Sequence, residues 1–214
     1  MYRPPLFRED RVPEMQALIR DNPLALLISM GDEGLLANPV PFILDPVGSE
    51  FGTLRAHLAR ANPQWRSFAD GQEALVVFQG TDRYVTPSWY ETKRETGKVV
   101  PTWNYAIVQA RGPVRVLEDR DWLARHVAGL TDAMEADLAE PWAVADAPDE
   151  FIASQLKGIV GIEVAIARLE GKWKVSQNRP EADRSGVVSG FETAGDERSL
   201  HMARLVAAGG PTDG

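Results

Sequence analysis

Basic side chains stand immediately before a predicted helix in the segment LRAHLARANPQW, residues 54–65. Asn62 can cap that helix, and Pro63 suits its first position. Free backbone N–H groups and the helix dipole favour an anion at such an end, and Arg60 can bind two phosphate oxygens at once. His57, Arg60 and Asn62 are therefore candidate contacts for a phosphate group. The alternative is an ordinary helix cap flanked by two solvated charges.

Two aromatic rings and an amide come together in VPTWNY, residues 100–105, where a strand is predicted to begin. Such rings offer faces on which a flat ligand can stack. Thr102, Trp103 and Asn104 are therefore candidate ligand contacts at the mouth of the strand. Core packing is the alternative, since tryptophan and tyrosine fill the cores of many proteins.

A third polar cluster lies in GKWKVSQNRP, residues 171–180, and Gln177 is its candidate ligand contact. The other polar side chains here are Lys172, Lys174, Asn178 and Arg179. A solvated strand end is the alternative explanation. Taken together, the three clusters suit an anionic, aromatic ligand better than any one of them does.

Motifs for other chemistry are missing from the sequence. Lys98 follows a glycine, but Thr92 stands where a phosphate-binding loop needs its first glycine. The chain has no cysteine, no GxGxxG and no GxSxG. His126 and His201 lie on predicted helices, where we interpret them as packing or solvated residues. No spacing of ligands indicates a metal site, and the sequence identifies no catalytic residue.

Composition restricts the partners of this 214-residue chain. Its net charge of −8 repels phosphate backbones unless basic residues gather on one face, and only small basic clusters are present. DNA binding is therefore possible but not supported by the charge. No apolar run is long enough for a membrane span, and the N-terminus lacks the pattern of a signal peptide. We therefore expect a cytoplasmic protein without a membrane partner.

The elements that must position these clusters are mostly strands. Hydrophobic patterns predict strands in hairpin-like pairs with helices inserted between them, which favours a small antiparallel barrel over a βαβ winding. Residues 159–177 are predicted as a β-hairpin that turns at Glu170-Gly171, and residues 81–98 as a long polar loop. We expect one domain over residues 1–194 and a helical or disordered tail over residues 195–214.

Four blocks of the sequence resemble the PaiB-type family, which is described as FMN-binding negative transcriptional regulators. They are HLARANPQW (57–65), YVTPSWYETKRETGKVVPTWNY (84–105), LKGIVGIEVAIARLEGKWKVSQNRP (156–180) and DRSGVVSGF (183–191). The resemblance extends from the N-terminus to about Phe191. One departure is Asn38, in NPVPF, where family members commonly carry the histidine of HLPF.

The resemblance implies an FMN-binding split barrel, the architecture of pyridoxamine-phosphate oxidases, which form homodimers with flavin at the subunit interface. It places the flavin phosphate near His57 and Arg60, the strand entered by Trp103 and Asn104 near the ring, and Gln177 in a late motif that reaches the cofactor. The implied function is negative regulation of transcription. A flavin-dependent oxidoreductase acting on a small molecule is the alternative, and a haem-binding barrel is a third possibility.

Overall fold

The computed structural model describes residues 1–32, 34–68 and 71–210. The chain forms two compact units, each made of segments that are separate in sequence. The first unit comprises residues 1–18, 79–109 and 170–214. The second unit comprises residues 19–78 and 110–169.

Antiparallel strands form a single sheet in the described residues, and helices are inserted between them. The nine strands are β1 (Arg8–Glu9), β2 (Leu24–Gly31), β3 (Gly34–Pro41), β4 (Ile43–Asp45), β5 (Thr53–Ala59), β6 (Glu73–Val85), β7 (Thr102–Leu117), β8 (Ile159–Ala165) and β9 (Arg168–Lys174). The helices are α1 (Val12–Asp21), α2 (Glu91–Thr96), α3 (Arg120–Glu135), α4 (Asp149–Lys157), α5 (Glu181–Ala194) and α6 (Glu197–Ala207). The prediction of a mainly β protein with helical insertions is confirmed.

The strand order is β3-β2-β6-β7-β8-β5-β4, and β9 pairs with β1 and β7. The sheet is open, because within the described residues its end strands β3 and β4 are not paired with each other. Pro39 and Pro41 therefore lie on an edge strand, where the missing N–H groups leave no gap in a ladder. In the sequence these two prolines suggest either an edge strand or the lining of a pocket, and the structure shows the edge strand.

The β2–β3 hairpin has one buried and one exposed face. Ala25 and Leu27 of β2 are buried, whereas Leu24, Leu26 and Met30, on the opposite face of the strand, are exposed. Leu26 pairs with Pro39 and Met30 with Leu35, so the same face of β3 is also apolar. We call this surface the outer hairpin face. It comprises Leu24, Leu26, Ile28, Met30, Leu35, Ala37, Pro39 and Pro41.

Residues 159–177 differ from the predicted hairpin. Strands β8 and β9 are not each other's partners: β8 pairs with β5 and β7, and β9 pairs with β1 and β7. The chain turns between Ala165 and Arg168, and Glu170-Gly171 lies inside β9. Gly171 serves close packing in the first unit, because a Cβ there would lie 2.8 Å from the carbonyl oxygen of Glu9.

Two other segments are more regular than the sequence suggests. The predicted helix after Asn62 is a 3-10 helix, Pro63–Phe68. The predicted polar loop of residues 81–98 contains the end of β6, a 3-10 turn at Pro87–Trp89 and helix α2.

The C-terminal segment contains α6, whose Met202 and Val206 are buried. The domain division at residue 194 stays a prediction.

Helix α5 has a groove that holds Trp89 of the first unit. A Cβ at Gly186 would lie 1.9 Å from the carbonyl oxygen of Trp89, and a Cβ at Gly190 would lie 2.3 Å from its indole ring. The ring meets Phe191 edge-on, with centroids 5.0 Å apart. The PSWY segment therefore has a packing role, because its tryptophan fits where α5 has no side chains.

Candidate functional site

A pair of histidines forms the centre of a polar cluster in the second unit. Nδ1 of His57, on β5, lies 3.1 Å from Nε2 of His126, on α3. The indole of Trp122 stacks on the His126 ring with centroids 5.0 Å apart and an angle of 15° between the planes. Residues 122 and 126 share one face of α3 because they are one helical turn apart. The helix therefore presents the His126 ring to His57 of β5 and the Trp122 indole to Glu163 of β8.

The surroundings keep both imidazoles neutral at pH 7. Burial lowers the pKa of His57 below its ordinary value. Burial is the largest of the causes that lower the pKa of His126 to about 4, and the charges of the nearby His57 and Arg55 act in the same direction. Because each neutral ring carries one N–H, one histidine donates the hydrogen bond and the other accepts it.

Glu163 of β8 collects three donors beside this pair. Arg55 Nε donates to Oε1 at 3.0 Å, Trp122 Nε1 donates to Oε1 at 3.2 Å, and Arg115 donates to Oε2. Burial alone would raise the pKa of Glu163, but the bonds from Arg115, Trp122 and Arg55 together lower it. The Glu163 carboxylate therefore carries the negative charge that Arg55 and Arg115 share. We call Glu163, Arg55, Arg115, Trp122, His57 and His126 the second-unit cluster.

Arg60 and Asn62 follow His57 in the chain and make local bonds. Arg60 Nε donates to the carbonyl oxygen of Lys157 at 3.0 Å, and its Nη1 lies 2.5 Å from Glu118 Oε2. Arg60 Nη2 also donates to the carbonyl oxygen of Ile159, at 3.2 Å. These bonds use about three of its five N–H groups. Asn62 Oδ1 accepts from the backbone N–H of Gln64, which is the cap that the sequence suggests.

A second group of candidate residues lies in the first unit, where β7 begins. Lys174 Nζ donates to Thr102 Oγ1 at 2.5 Å and to the carbonyl oxygen of Trp103 at 2.6 Å. Asn104 is fully buried, and its amide exchanges hydrogen bonds with the Ser176 hydroxyl at 2.9 and 3.2 Å. The mouth of the strand is therefore bonded to the chain just after β9.

Trp103 and Gln177 differ in how far they are available to a ligand. The Trp103 side chain is 53% exposed, and its ring meets Tyr84 edge-on with centroids 5.8 Å apart. Gln177 accepts from the Val175 backbone N–H at 2.7 Å and donates to the Trp173 carbonyl at 2.6 Å. The Gln177 amide therefore shapes the chain around Ser176, whose φ of 65° is left-handed.

Positive charges gather around these residues of the first unit. Burial lowers the pKa of Lys174, and the charges of Lys172 and Arg179 lower it further. Lys172 Nζ lies 5.3 Å from the centroid of the Tyr105 ring, and the Arg179 guanidinium lies 4.6 Å from that of Tyr90. Cations placed over aromatic rings in this way are attracted by the ring electrons.

The structure thus sorts the seven predicted site residues into two groups. Thr102, Trp103, Asn104 and Gln177 lie in the first unit, and His57, Arg60 and Asn62 lie in the second. The sequence suggests that His126 is a packing or solvated residue, and in the structure it is buried against His57. The spacing of Trp122 and His126 indicates that they share one face of α3, but no local pattern in the sequence signals the contact of His126 with His57.

The described residues contain neither a metal-binding cluster nor a membrane-spanning helix. Within the ranges 1–32, 34–68 and 71–210, no cluster of three His, Asp or Glu side chains is arranged to hold a metal ion. None of the helices described there has the length and apolar character that a bilayer crossing requires.

An open antiparallel sheet with inserted helices places the chain among the flavin-binding split barrels. It superimposes on an FAD- and haem-binding protein from Mycobacterium smegmatis with a TM-score of 0.58 and 20% identity, covering 78% of this chain and 73% of the other. A flavocytochrome from Azotobacter vinelandii gives a TM-score of 0.59 at 16% identity, covering 79% and 69%. The predicted fold is confirmed by these similarities.

Sequence comparison identifies the family within that class. Residues 1–168 match the family described as "Putative FMN-binding domain". An uncharacterized protein of Emericella nidulans is 37% identical over 241 aligned residues, and the protease synthase and sporulation protein PAI 2 of Bacillus subtilis is 28% identical over 206. Both alignments cover 96% of each chain. The chain belongs to this FMN-binding family, and FMN is its cofactor, as the sequence predicts.

Proposed function

We propose that the chain binds FMN and acts as a flavin-dependent regulatory protein, and each unit has its own candidate contacts. The half-exposed indole of Trp103 is the main observation that supports FMN binding. It offers a stacking face beside Thr102, and Lys172, Lys174 and Arg179 supply positive charge nearby. Asn104 and Gln177 position the surrounding backbone. Bound FMN supplies the redox chemistry.

In the second unit, His57, Arg60 and Asn62 are the proposed phosphate contacts. The two N–H groups that Arg60 does not use locally remain for an anion. Its bonds to the Lys157 and Ile159 carbonyls hold the guanidinium in one orientation, which lowers the entropy lost when an anion binds.

FMN titration of the purified chain tests this site by flavin absorbance, fluorescence and melting temperature. A ligand that binds only the folded state must raise the melting temperature. Arg60→Ala should weaken FMN binding by about 1.5 to 3 kcal/mol, the range for a hydrogen bond to a charged group. Glu118→Gln is the matched control, because it removes the ion pair of Arg60 and keeps the guanidinium.

The two variants separate a ligand contact from a structural bond. FMN affinity close to that of the unaltered chain is expected for Glu118→Gln and a clear loss for Arg60→Ala. An unchanged affinity in Arg60→Ala would remove Arg60 from the site. A chain that shows neither flavin absorbance nor a shift in melting temperature would contradict the whole proposal.

The proposed assembly is a homodimer formed through the outer hairpin face. Four of its leucines and methionines are exposed, with Leu24 at 66% and Leu35 at 74%. Contiguous apolar surfaces of this kind mark interfaces in proteins that stay in solution. A second copy of the chain is the proposed occupant because a two-fold axis pairs such a face with itself.

Sedimentation velocity tests the assembly. Leu26→Glu should convert a dimer to a monomer, because the new carboxylate would be buried without a partner. Val47→Glu, in an exposed turn, is the control and should leave the dimer intact. A chain that sediments as a monomer before substitution would rule out this assembly.

Negative regulation of transcription is the proposed biological role, in the cytoplasm. It rests on the similarity to the PaiB-type family and on the name of the Bacillus subtilis relative, which refers to protease synthesis and sporulation. The net charge of −8 favours action through a protein partner over direct contact with duplex DNA. A promoter fragment that binds with a steep salt dependence would instead favour direct contact.

A flavin-dependent oxidoreductase is the second candidate function, and the lowered pKa of Lys174 at the mouth of β7 favours it. Its lowered pKa makes the ammonium group a better proton donor than an ordinary lysine, and it bonds at the mouth of β7. Turnover of NADH or NADPH with added FMN would support this function. If such turnover is absent while FMN binds, the regulatory function is favoured.

A further inference from the structure

A cavity of about 470 Å³ lies beside the histidine pair in the second unit. Its volume falls within the range of small-molecule sites. Its walls come from β4, β5, β7, β8 and α3, and are formed by Ile43, Arg55, Arg115, Trp122, Arg125, His126, Gly129 and Glu163. None of the seven residues proposed to contact FMN lines it.

The charge around this cavity is positive. Three arginines line it, and Glu163 is the only carboxylate among its lining residues. Arg55 and Arg115 share that carboxylate, and Arg55 also forms an ion pair with Asp45, which does not line the cavity. Arg125 is exposed and has no ion-pair partner among the described residues. An excess of guanidinium groups over carboxylates favours a bound anion, and guanidinium binds carboxylate and phosphate oxygens in pairs.

A buried nitrogen provides an independent sign of a ligand. His126 is 5% exposed, and its Nδ1 is buried with no hydrogen-bond partner in the described part of the chain, whereas Nε2 faces His57. A buried polar atom without a partner costs free energy unless a water or ligand satisfies it. When His57 donates to Nε2, the proton of His126 resides on Nδ1, which is then a buried donor on a residue that lines the positively charged cavity.

We propose that this cavity is a binding site for a small organic anion that carries one or two carboxylate or phosphate groups. Arg125 and Arg115 bind the anionic oxygens, and His126 Nδ1–H donates to the same ligand. The Trp122 indole forms an apolar wall. The anion selects the tautomer of His126 and, through the bond between the two rings, that of His57. The site is formed by the second unit alone and does not depend on bound FMN.

Binding of defined probes tests the site in the full chain without flavin. Succinate and inorganic phosphate should bind saturably in isothermal titration calorimetry at constant ionic strength, whereas the neutral analogue succinamide should not. Tighter binding of succinate indicates a carboxylate ligand, and tighter binding of phosphate indicates a phosphorylated one. The imidazole nitrogen resonances of His126 should shift on saturation, which a distant surface site would not cause.

Substitutions on two helices provide the matched comparison. Arg125→Gln should lower the affinity for the better probe by about tenfold or more, the effect of removing one hydrogen bond to a charged group. Arg20→Gln, an exposed arginine on α1, should leave it unchanged. FMN affinity should be unchanged in Arg125→Gln, so failure of this site and failure of the FMN site give different results.

Three results of the binding measurements would overturn the proposal. These are the absence of saturable binding by both probes, equal binding of succinamide, and an affinity that Arg125→Gln and Arg20→Gln lower equally. Probe binding that leaves the His126 resonances in place would also contradict it, because the proposed ligand bonds to that ring.

Discussion

The polar clusters of the two units differ in how far their functional groups are bonded to neighbours and shielded from water. In the second unit, His57, His126 and Glu163 are bonded to neighbours and largely shielded from water. In the first unit, Asn104 is similarly enclosed, but the indole of Trp103 remains half exposed. Groups that bond to one another contribute to stability, whereas an exposed ring contributes contact area to a ligand. We therefore expect substitutions in the two clusters to affect different measurements.

The largest expected effect on stability is at Glu163. Glu163→Gln removes the charge shared by Arg55 and Arg115 and should lower the free energy of unfolding by about 2 to 3 kcal/mol. This is below the loss for a fully buried ion pair because both arginines are partly exposed. Urea denaturation measures it, with the exposed Glu50→Gln as control. A loss below about 1 kcal/mol would show that the second-unit cluster is not a source of stability.

The next effect is the pH dependence that His126 gives to stability. The unfolded histidine takes up a proton as pH falls below 6.5, but the folded one resists protonation until its pKa of about 4. This contribution to stability is therefore complete above pH 6.5 and is lost as pH falls toward 4. The slope is at most about 1.4 kcal/mol per pH unit.

His126→Phe keeps an aromatic ring against Trp122 and removes the titrating group. Unfolding free energy measured between pH 4 and 7 should then depend less steeply on pH. The exposed His201→Phe is the control and should retain the slope. Equal slopes in the unaltered chain and His126→Phe would mean that His126 is not neutral in the folded state.

The smallest effect on stability is expected at Trp103. Because the side chain is half exposed, Trp103→Ala should change the free energy of unfolding by about 0.5 kcal/mol or less. The same variant should weaken FMN binding measurably, since a stacking face is lost. Trp103→Phe should restore part of the affinity. A stability loss as large as that of Glu163→Gln would remove the contrast between the two clusters.

Local patterns predict much of the fold from the sequence. The buried strand β2, the edge position of β3 and the helix α3 follow from hydrophobic periodicity and from proline and capping residues. The prediction of a turn at Glu170-Gly171 was wrong, because a glycine can serve either a turn or a close approach of two backbones. Gly171 serves the approach to Glu9, which no local pattern shows.

The candidate site is less predictable because its bonds join distant parts of the sequence. His57 and His126 are 69 residues apart, and Asn104 and Ser176 are 72 apart. The sequence shows that such residues are polar or aromatic, but their burial and partners are set by tertiary packing. Arg60 looks like a free phosphate ligand in the sequence and proves to be bonded to three neighbours.

The two glycines that receive Trp89 have a consequence for the dynamics of the first unit. Glycine inside a helix costs about 1 kcal/mol relative to alanine, so Gly186 and Gly190 make α5 a weak helix by itself. Packing of the Trp89 ring against Phe191 compensates for that weakness. Opening of the PSWY segment and fraying of α5 should therefore occur as one event. The backbone amides of Val187 and Phe191 would then exchange with solvent deuterium at the rate at which Trp89 leaves its groove.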